Sequence, residues 1–178
     1  AVGSRDGTIQ LFEINANKIA VPAELGERFE PGADAITVKN TWSAQPNLQQ
    51  LAFEPQGNQL AVLSSNRLQL WNFQTAQLVW ELNLQGRAEA FALSPDGMIA
   101  IAGTFINNDT KLVEQNSIHL WNIRTQKQQH ALPGHHLPVT VLTYSPDGYW
   151  LASGSADNTV KLWDTTQGNL KHTLTSHQ

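Results

Sequence analysis

The stretch Leu137 to Asp164, LPVTVLTYSPDGYWLASGSADNTVKLWD, constrains the fold more than any other, because weaker copies of it recur along the chain. Its apolar pattern marks three short strands, Val139 to Tyr144, Trp150 to Ser153 and Thr159 to Trp163, each rich in β-branched and aromatic residues. Pro146-Asp147-Gly148 turns the first into the second: proline presets one backbone angle and the residues after it tolerate positive φ. Ala156-Asp157-Asn158 makes the next turn with side chains that hydrogen-bond nearby backbone. A fourth strand at Leu170 to Leu174 completes a four-stranded antiparallel meander. Such a unit buries its faces only by stacking on its neighbours. The fold class is therefore all-β, with strands of four to seven residues and no helix beyond about one turn outside the longest connection.

Residues 1–25 match the last three strands of a unit whose first strand is absent, with Gly3 to Glu13 lying against Gly154 to Asp164 without a gap. Asp6 then matches Asp157, Phe12 the tryptophan and Val2 the serine; the aspartate is either a relic of the stronger repeat or a plain turn residue. Residues 26–46 form an insertion, the centre of an irregular connection from Glu24 to Asn47 that is too short for a unit, with room for a small strand at Ala35 to Val38. The second unit, 47–84, has Ser65 at the aspartate position and Val62 at the serine position, which leaves packing alone to hold it. The third, 85–134, repeats the Ser-Pro-Asp-Gly turn at Ser94 to Gly97 and carries Gln85, Ala102, Gln115 and Trp121 where the fourth has His135, Ser153, Asp157 and Trp163. Its two glutamines have the chemistry to bond each other or the backbone. Trp71 to Trp121 spans 50 residues and Trp121 to Trp163 spans 42, and the excess sits in Phe105 to Glu114. The fourth unit is 135–178, and His172 to His177 echoes His130 to His135 as if announcing another.

Gly134-His135, Ser145 to Gly148, Leu151 to Val160 and the closing Trp163-Asp164 stand in the order and spacing of the WD-repeat family, which this unit resembles. The resemblance implies a WD-type β-propeller, here partial: three whole four-stranded blades and about three quarters of another, a segment of a larger ring. It also implies a structural tetrad of His135, Ser153, Asp157 and Trp163, a hydrogen-bond chain running Trp to Ser to His to Asp. His135 lies 22 residues before Asp157, Ser153 four before it and Trp163 six after it, in keeping with that family. On this reading two blade faces stand open, and self-association through open blade edges or early melting is expected.

Charge and composition narrow the function. The formal charge of −4 offers no general basic surface, against a nucleic-acid partner. No run approaches about 18 apolar residues and no signal-peptide pattern opens the chain, so no membrane partner is expected. The absence of cysteine excludes disulfides and thiolate metal sites and fits a reducing compartment, giving a cytoplasmic expectation. Ser153, His135 and Asp157 are the ingredients of a nucleophilic triad, but the repeat places them inside a blade, so no catalytic residue and no enzyme activity are expected. The six histidines follow the repeat and not a ligand spacing; no metal and no cofactor are expected.

What remains is surface. In the family, loops joining second to third strands and those joining one unit to the next open on the same face, and both insertions are of those kinds. They carry Arg28, Phe29, Trp42, Phe105, Ile106, Asp109 and Lys111, with arginine and aromatic types suited to interface anchors. The expected function is a non-catalytic scaffold for a protein or peptide partner. The alternative is the regulatory or sensing propeller of a larger enzyme or signalling protein, such as a kinase, protease or NTPase switch.

Overall fold

The computed structural model describes residues 1–14, 36–44, 46–55, 57–64, 66–107 and 110–175. Among the described residues fifteen strands form four antiparallel sheets, and no helix occurs. Sheet 1 contains β1 (Val2–Gly3), β2 (Thr8–Ile14) and β3 (Ile36–Ser43). Sheet 2 contains β4 (Leu48–Phe53), β5 (Gln59–Ser64), β6 (Arg67–Asn72) and β7 (Gln77–Asn83). Sheet 3 contains β8 (Gly86–Leu93), β9 (Met98–Ile106), β10 (Val113–Asn122) and β11 (Lys127–Leu132). Sheet 4 contains β12 (Val139–Tyr144), β13 (Trp150–Ser155), β14 (Val160–Asp164) and β15 (Asn169–Leu174). Each is a meander in sequence order, as consecutive blades of a propeller require.

The sheets stack because strand alternation gives each two apolar faces. The face of sheet 4 bearing Leu151 and Trp163 packs on Ala100, Ala102, Ile118 and Leu120 of sheet 3. The other face of sheet 3, with Phe91, Ile99 and Ile101, packs on Ala61, Leu63, Leu68 and Leu70 of sheet 2. Leu60 and Val62 continue the stack onto Ile9 of sheet 1. Burying one such side chain contributes about 1.5–3 kcal/mol, so these layers hold the architecture irrespective of polar detail. Between the first strands of sheets 2 and 3, the Gln50 carboxamide accepts from Phe91 N at 3.0 Å and donates to Phe91 O at 2.9 Å.

Backbone irregularities recur with the repeat. In all four sheets the register slips by one residue beside the tryptophan position, at Leu11/Phe12, Leu70/Trp71, Leu120/Trp121 and Leu162/Trp163. The extra residues are Lys39, Val79, Gln129 and Lys171, all exposed, and bulges of this kind strengthen local twist. The third-to-fourth-strand turns recur too. Asn72, Asn122 and Asp164 each accept backbone N–H bonds through Oδ1, and Ala76, Gln126 and Gly168 take positive φ of 55°, 57° and 67°.

Three expectations need correction. The first sheet does not end by residue 25: its last strand is Ile36–Ser43, inside the segment read as an inter-unit insertion. The long connection therefore joins β2 to β3, because Ile36 to Ser43 carries an alternating pattern that pairs with β2 from Ile14 back to Thr8. It leaves the sheet at the end opposite the β1–β2 turn, so the two insertions do not gather on one face. Strand lengths also exceed seven residues in β3, β8, β9 and β10, the last two because the 105–114 insertion extends a hairpin instead of forming a loop. Finally, the serine position of sheet 3 is Ile101 and not Ala102. His119 pairs with Ile101 as Lys161 pairs with Ser153, since the Ser94 turn reaches its strand one residue sooner than the Ser145 turn.

Candidate functional site

In sheet 4 the strand register and one loop bring four polar side chains together. Trp163 Nε1–H donates to Ser153 Oγ at 2.8 Å, and the Ser153 hydroxyl in turn donates to His135 Nε2 at 2.7 Å. His135 Nδ1–H then donates to Asp157 Oδ2 at 2.9 Å. The carboxylate also accepts from His136 N–H at 3.0 Å and from the Thr159 hydroxyl and N–H at 2.6 and 3.0 Å. Burial alone would raise the Asp157 pKa, but the bonds from Thr159, His136 and His135 hold it well below the usual carboxylate range. The connectivity Ser–His–Asp is that of a nucleophilic triad. Ser153, however, is wholly buried and its oxygen already accepts the indole N–H, so no substrate reaches it.

Sheet 2 carries a different network, which the sequence reading missed by expecting packing alone. Trp71 Nε1–H donates to Gln69 Oε1 at 3.3 Å, Gln69 Nε2 donates to Glu81 Oε2 at 2.7 Å, and Arg67 lies 3.4 Å from the same carboxylate. The signal was available as Gln69 two residues before the tryptophan, on the same strand face. In sheet 1, Asp6 is an exposed turn residue that accepts from Thr8 N–H at 2.8 Å and from Ser4.

Sheet 3 is the exception. Ile101 offers Trp121 no acceptor, and the buried Trp121 Nε1 has no partner. Gln85 and Gln115 are both exposed and do not bond each other. The polar centre has moved along the sheet: His119 Nε2 lies 2.8 Å from Glu114 Oε2 and 3.2 Å from Ser117 Oγ, and Asn107 Nδ2 donates to Glu114 Oε1 at 2.7 Å. Phe105 stacks on the His119 ring with centroids 4.3 Å apart. Burial lowers the His119 pKa, and the Asn107 hydrogen bond keeps the Glu114 carboxyl below its ordinary value. These contacts fasten the base of the β9–β10 hairpin. Beyond them, Ile106, Leu112 and Val113 stand exposed, at 45%, 66% and 57%, with Lys111 beside them. Between this hairpin, Asn83 to Gln85 and the outer strand β11 lies a cleft of about 580 Å³, lined among others by Gln85 and Trp121, which match His135 and Trp163 of sheet 4 in the sequence.

The candidate partner-binding residues divide. Ile106 and Lys111 are at the exposed hairpin. Phe105 is 3% exposed and belongs to the core, so it is no interface anchor; alternation along β9 turns it inward as Ile106 turns outward. Trp42 lies in β3, paired with Ile9, and not in a loop. Arg28, Phe29 and Asp109 fall outside the described residues. Among the described residues no group of three or more histidine or acidic side chains is placed to hold a metal, and no helix is long and apolar enough to cross a membrane.

Residues 126–164 match the family model described as WD domain, G-beta repeat. The chain is 25% identical over 172 residues to apoptotic protease-activating factor 1 of Danio rerio, covering 93% of this chain and 12% of that protein. It is 28% identical over 116 residues to WD repeat-containing protein 36 of Homo sapiens, covering 64% and 12%. It is 29% identical over 122 residues to echinoderm microtubule-associated protein-like 2 of Mus musculus, covering 68% and 17%. The chain thus spans less than a fifth of the length of each of these relatives.

Proposed function

We propose that this chain, which belongs to the WD-repeat family, is a rigid platform that holds a protein partner and does no chemistry of its own. Proteins of this family are generally interaction scaffolds. The observation that carries the reading is the β9–β10 hairpin, which leaves Ile106, Leu112 and Val113 exposed while its base is fastened by Glu114, His119 and Asn107. A projecting apolar surface on a fixed support is what an interface needs. The double substitution Leu112→Glu with Val113→Glu tests it, with Tyr149→Glu, exposed at the opposite end of the sheets, as control. Partner retention should fall with the hairpin variant alone, and both variants should melt like the parent, since exposed positions usually shift stability by about 0.5 kcal/mol or less. Equal retention in all three would overturn the assignment of this surface.

A second reading has one observation behind it. The match over 93% of the chain occupies only 12% of apoptotic protease-activating factor 1. On this reading the chain is the regulatory part of a larger signalling protein, and the same hairpin docks against a domain of its own polypeptide. Binding of the isolated chain to separately expressed flanking domains, lost in the hairpin variant, separates this reading from the first.

A further inference from the structure

The cleft between sheets 2 and 3 is built for something the fold itself does not supply. In sheet 4 the buried His135, which matches Gln85, is bonded to Ser153 and Asp157, and the Trp163 N–H is spent on Ser153. In sheet 3 a cleft of about 580 Å³ stands open, Trp121 is among the residues that line it, and the Trp121 N–H is buried without an acceptor. Leaving such a donor unmatched costs about 1–3 kcal/mol, a cost that an entering acceptor removes. Among the described residues no lysine, arginine, aspartate or glutamate lines the cleft; its polar wall is made of carboxamides, Gln85 and Gln128 among them, and imidazoles. Burial disfavours the charged form of His119, and its partner Glu114 adds negative potential behind the wall. An anion therefore meets no cation there, and a cation cannot satisfy an N–H donor. The apolar Ile106 stands at one rim, half in the cleft and half in solvent.

We propose that this cleft binds an extended, uncharged peptide segment of the partner, one that sets a carboxamide oxygen on the Trp121 N–H and an apolar side chain against Ile106. The exposed side chains of Gln85 and Gln128 are the movable part of the rim: they part to admit the carboxamide and then bond the peptide backbone, since each both donates and accepts. The proposal rests on the scaffold reading and gives that scaffold a specificity. It predicts preference for Asn or Gln over Asp or Glu at the entering position.

Two blocked dipeptides test it, N-acetyl-leucyl-glutamine methylamide and its glutamate counterpart, titrated into the uniformly ¹⁵N-labelled 178-residue chain while the tryptophan indole resonances are followed. The Trp121 indole signal should move saturably with the glutamine probe, and the glutamate probe should bind about tenfold more weakly. The Trp163 signal, already committed to Ser153, should stay in place. Trp121→Phe, which keeps a ring and removes the N–H, should weaken the glutamine probe about tenfold without lowering the melting temperature. An unmoved Trp121 signal, or equal affinity for the two probes in the parent chain, overturns the proposal even if the variant proves unstable. Either failure leaves the hairpin test of the scaffold untouched, because that test needs neither probe.

Discussion

Sheets 3 and 4 share a backbone and differ in what their tryptophans do. Both contain a Ser-Pro-Asp-Gly turn, a bulge beside the tryptophan, and a positive-φ asparagine five residues before it, Asn116 at 52° and Asn158 at 62°. In sheet 4 the indole begins a chain of four side chains that ends on a carboxylate with four donors around it. In sheet 3 the indole faces isoleucine, the histidine has moved to His119, and its carboxylate, Glu114, sits on an extended hairpin. The polar tetrad is thus one way of closing a blade edge, not a condition for making the blade. Sheet 3 spends its polar groups on fixing a projection instead.

The largest expected break in that contrast comes at Asp157. Asp157→Ala strands the buried His135 Nδ1–H and removes the acceptor of the half-buried Thr159 hydroxyl and of the exposed His136 N–H, and should cost about 1–3 kcal/mol in urea unfolding. Asp6→Ala, at the matching but exposed turn, should cost well under half as much. Equal losses would mean that burial of the network contributes nothing.

A smaller difference is expected between the two indoles. Trp163→Phe removes a donor that Ser153 uses and should cost at least about 1 kcal/mol more than Trp121→Phe, which removes a donor that nothing uses. Paired thermal melts measure it, and a reversed order would show that the Trp121 N–H is satisfied in solution.

The smallest effect is one of pH. The folded-state pKa of His119 lies below its ordinary value of 6.5, chiefly through burial, so protonation favours the opened state. Its contribution is fully present above pH 6.5 and declines as pH falls from there toward the folded-state pKa. Amide exchange at the base of the 105–114 hairpin, corrected for intrinsic rate, should therefore accelerate between pH 7 and 5, and His119→Gln should flatten that dependence. Asp157 behaves in the same sense at lower pH: its depressed pKa stabilises the fold above the ordinary carboxylate range and that contribution is lost on strong acidification.

The all-β class, the four units and the tetrad were legible because they rest on local signals: alternation, Pro-Asp-Gly turns, and side chains at fixed offsets from tryptophan. Three features were not. A small strand was expected at Ala35 to Val38, but its full extent, Ile36–Ser43, and its place in the first sheet were hidden because its partner β2 is separated from it by a long connection, and pairing across such a gap leaves no periodic trace. Ile101 was misread as Ala102 because one residue fewer follows the Ser94 turn, and a one-residue slip in a strand exchanges its faces. Of the Trp71–Gln69–Glu81 network only the Gln69–Trp71 spacing was visible; its carboxylate joins through the register between β6 and β7, which places Gln69 opposite Glu81 and leaves no local mark.

The four bulges beside the tryptophan positions have a practical side. Lys39, Val79, Gln129 and Lys171 pair with nothing in their ladders and point outward, one on the outermost strand of each sheet. A chain without cysteine accepts a single thiol at any of them with little disturbance of strand pairing. Paired spin labels or fluorophores at these positions form a molecular ruler with equivalent marks on every sheet. Changes in distance between marks then report whether the sheets turn against one another when a partner arrives, without a probe near the cleft or the hairpin.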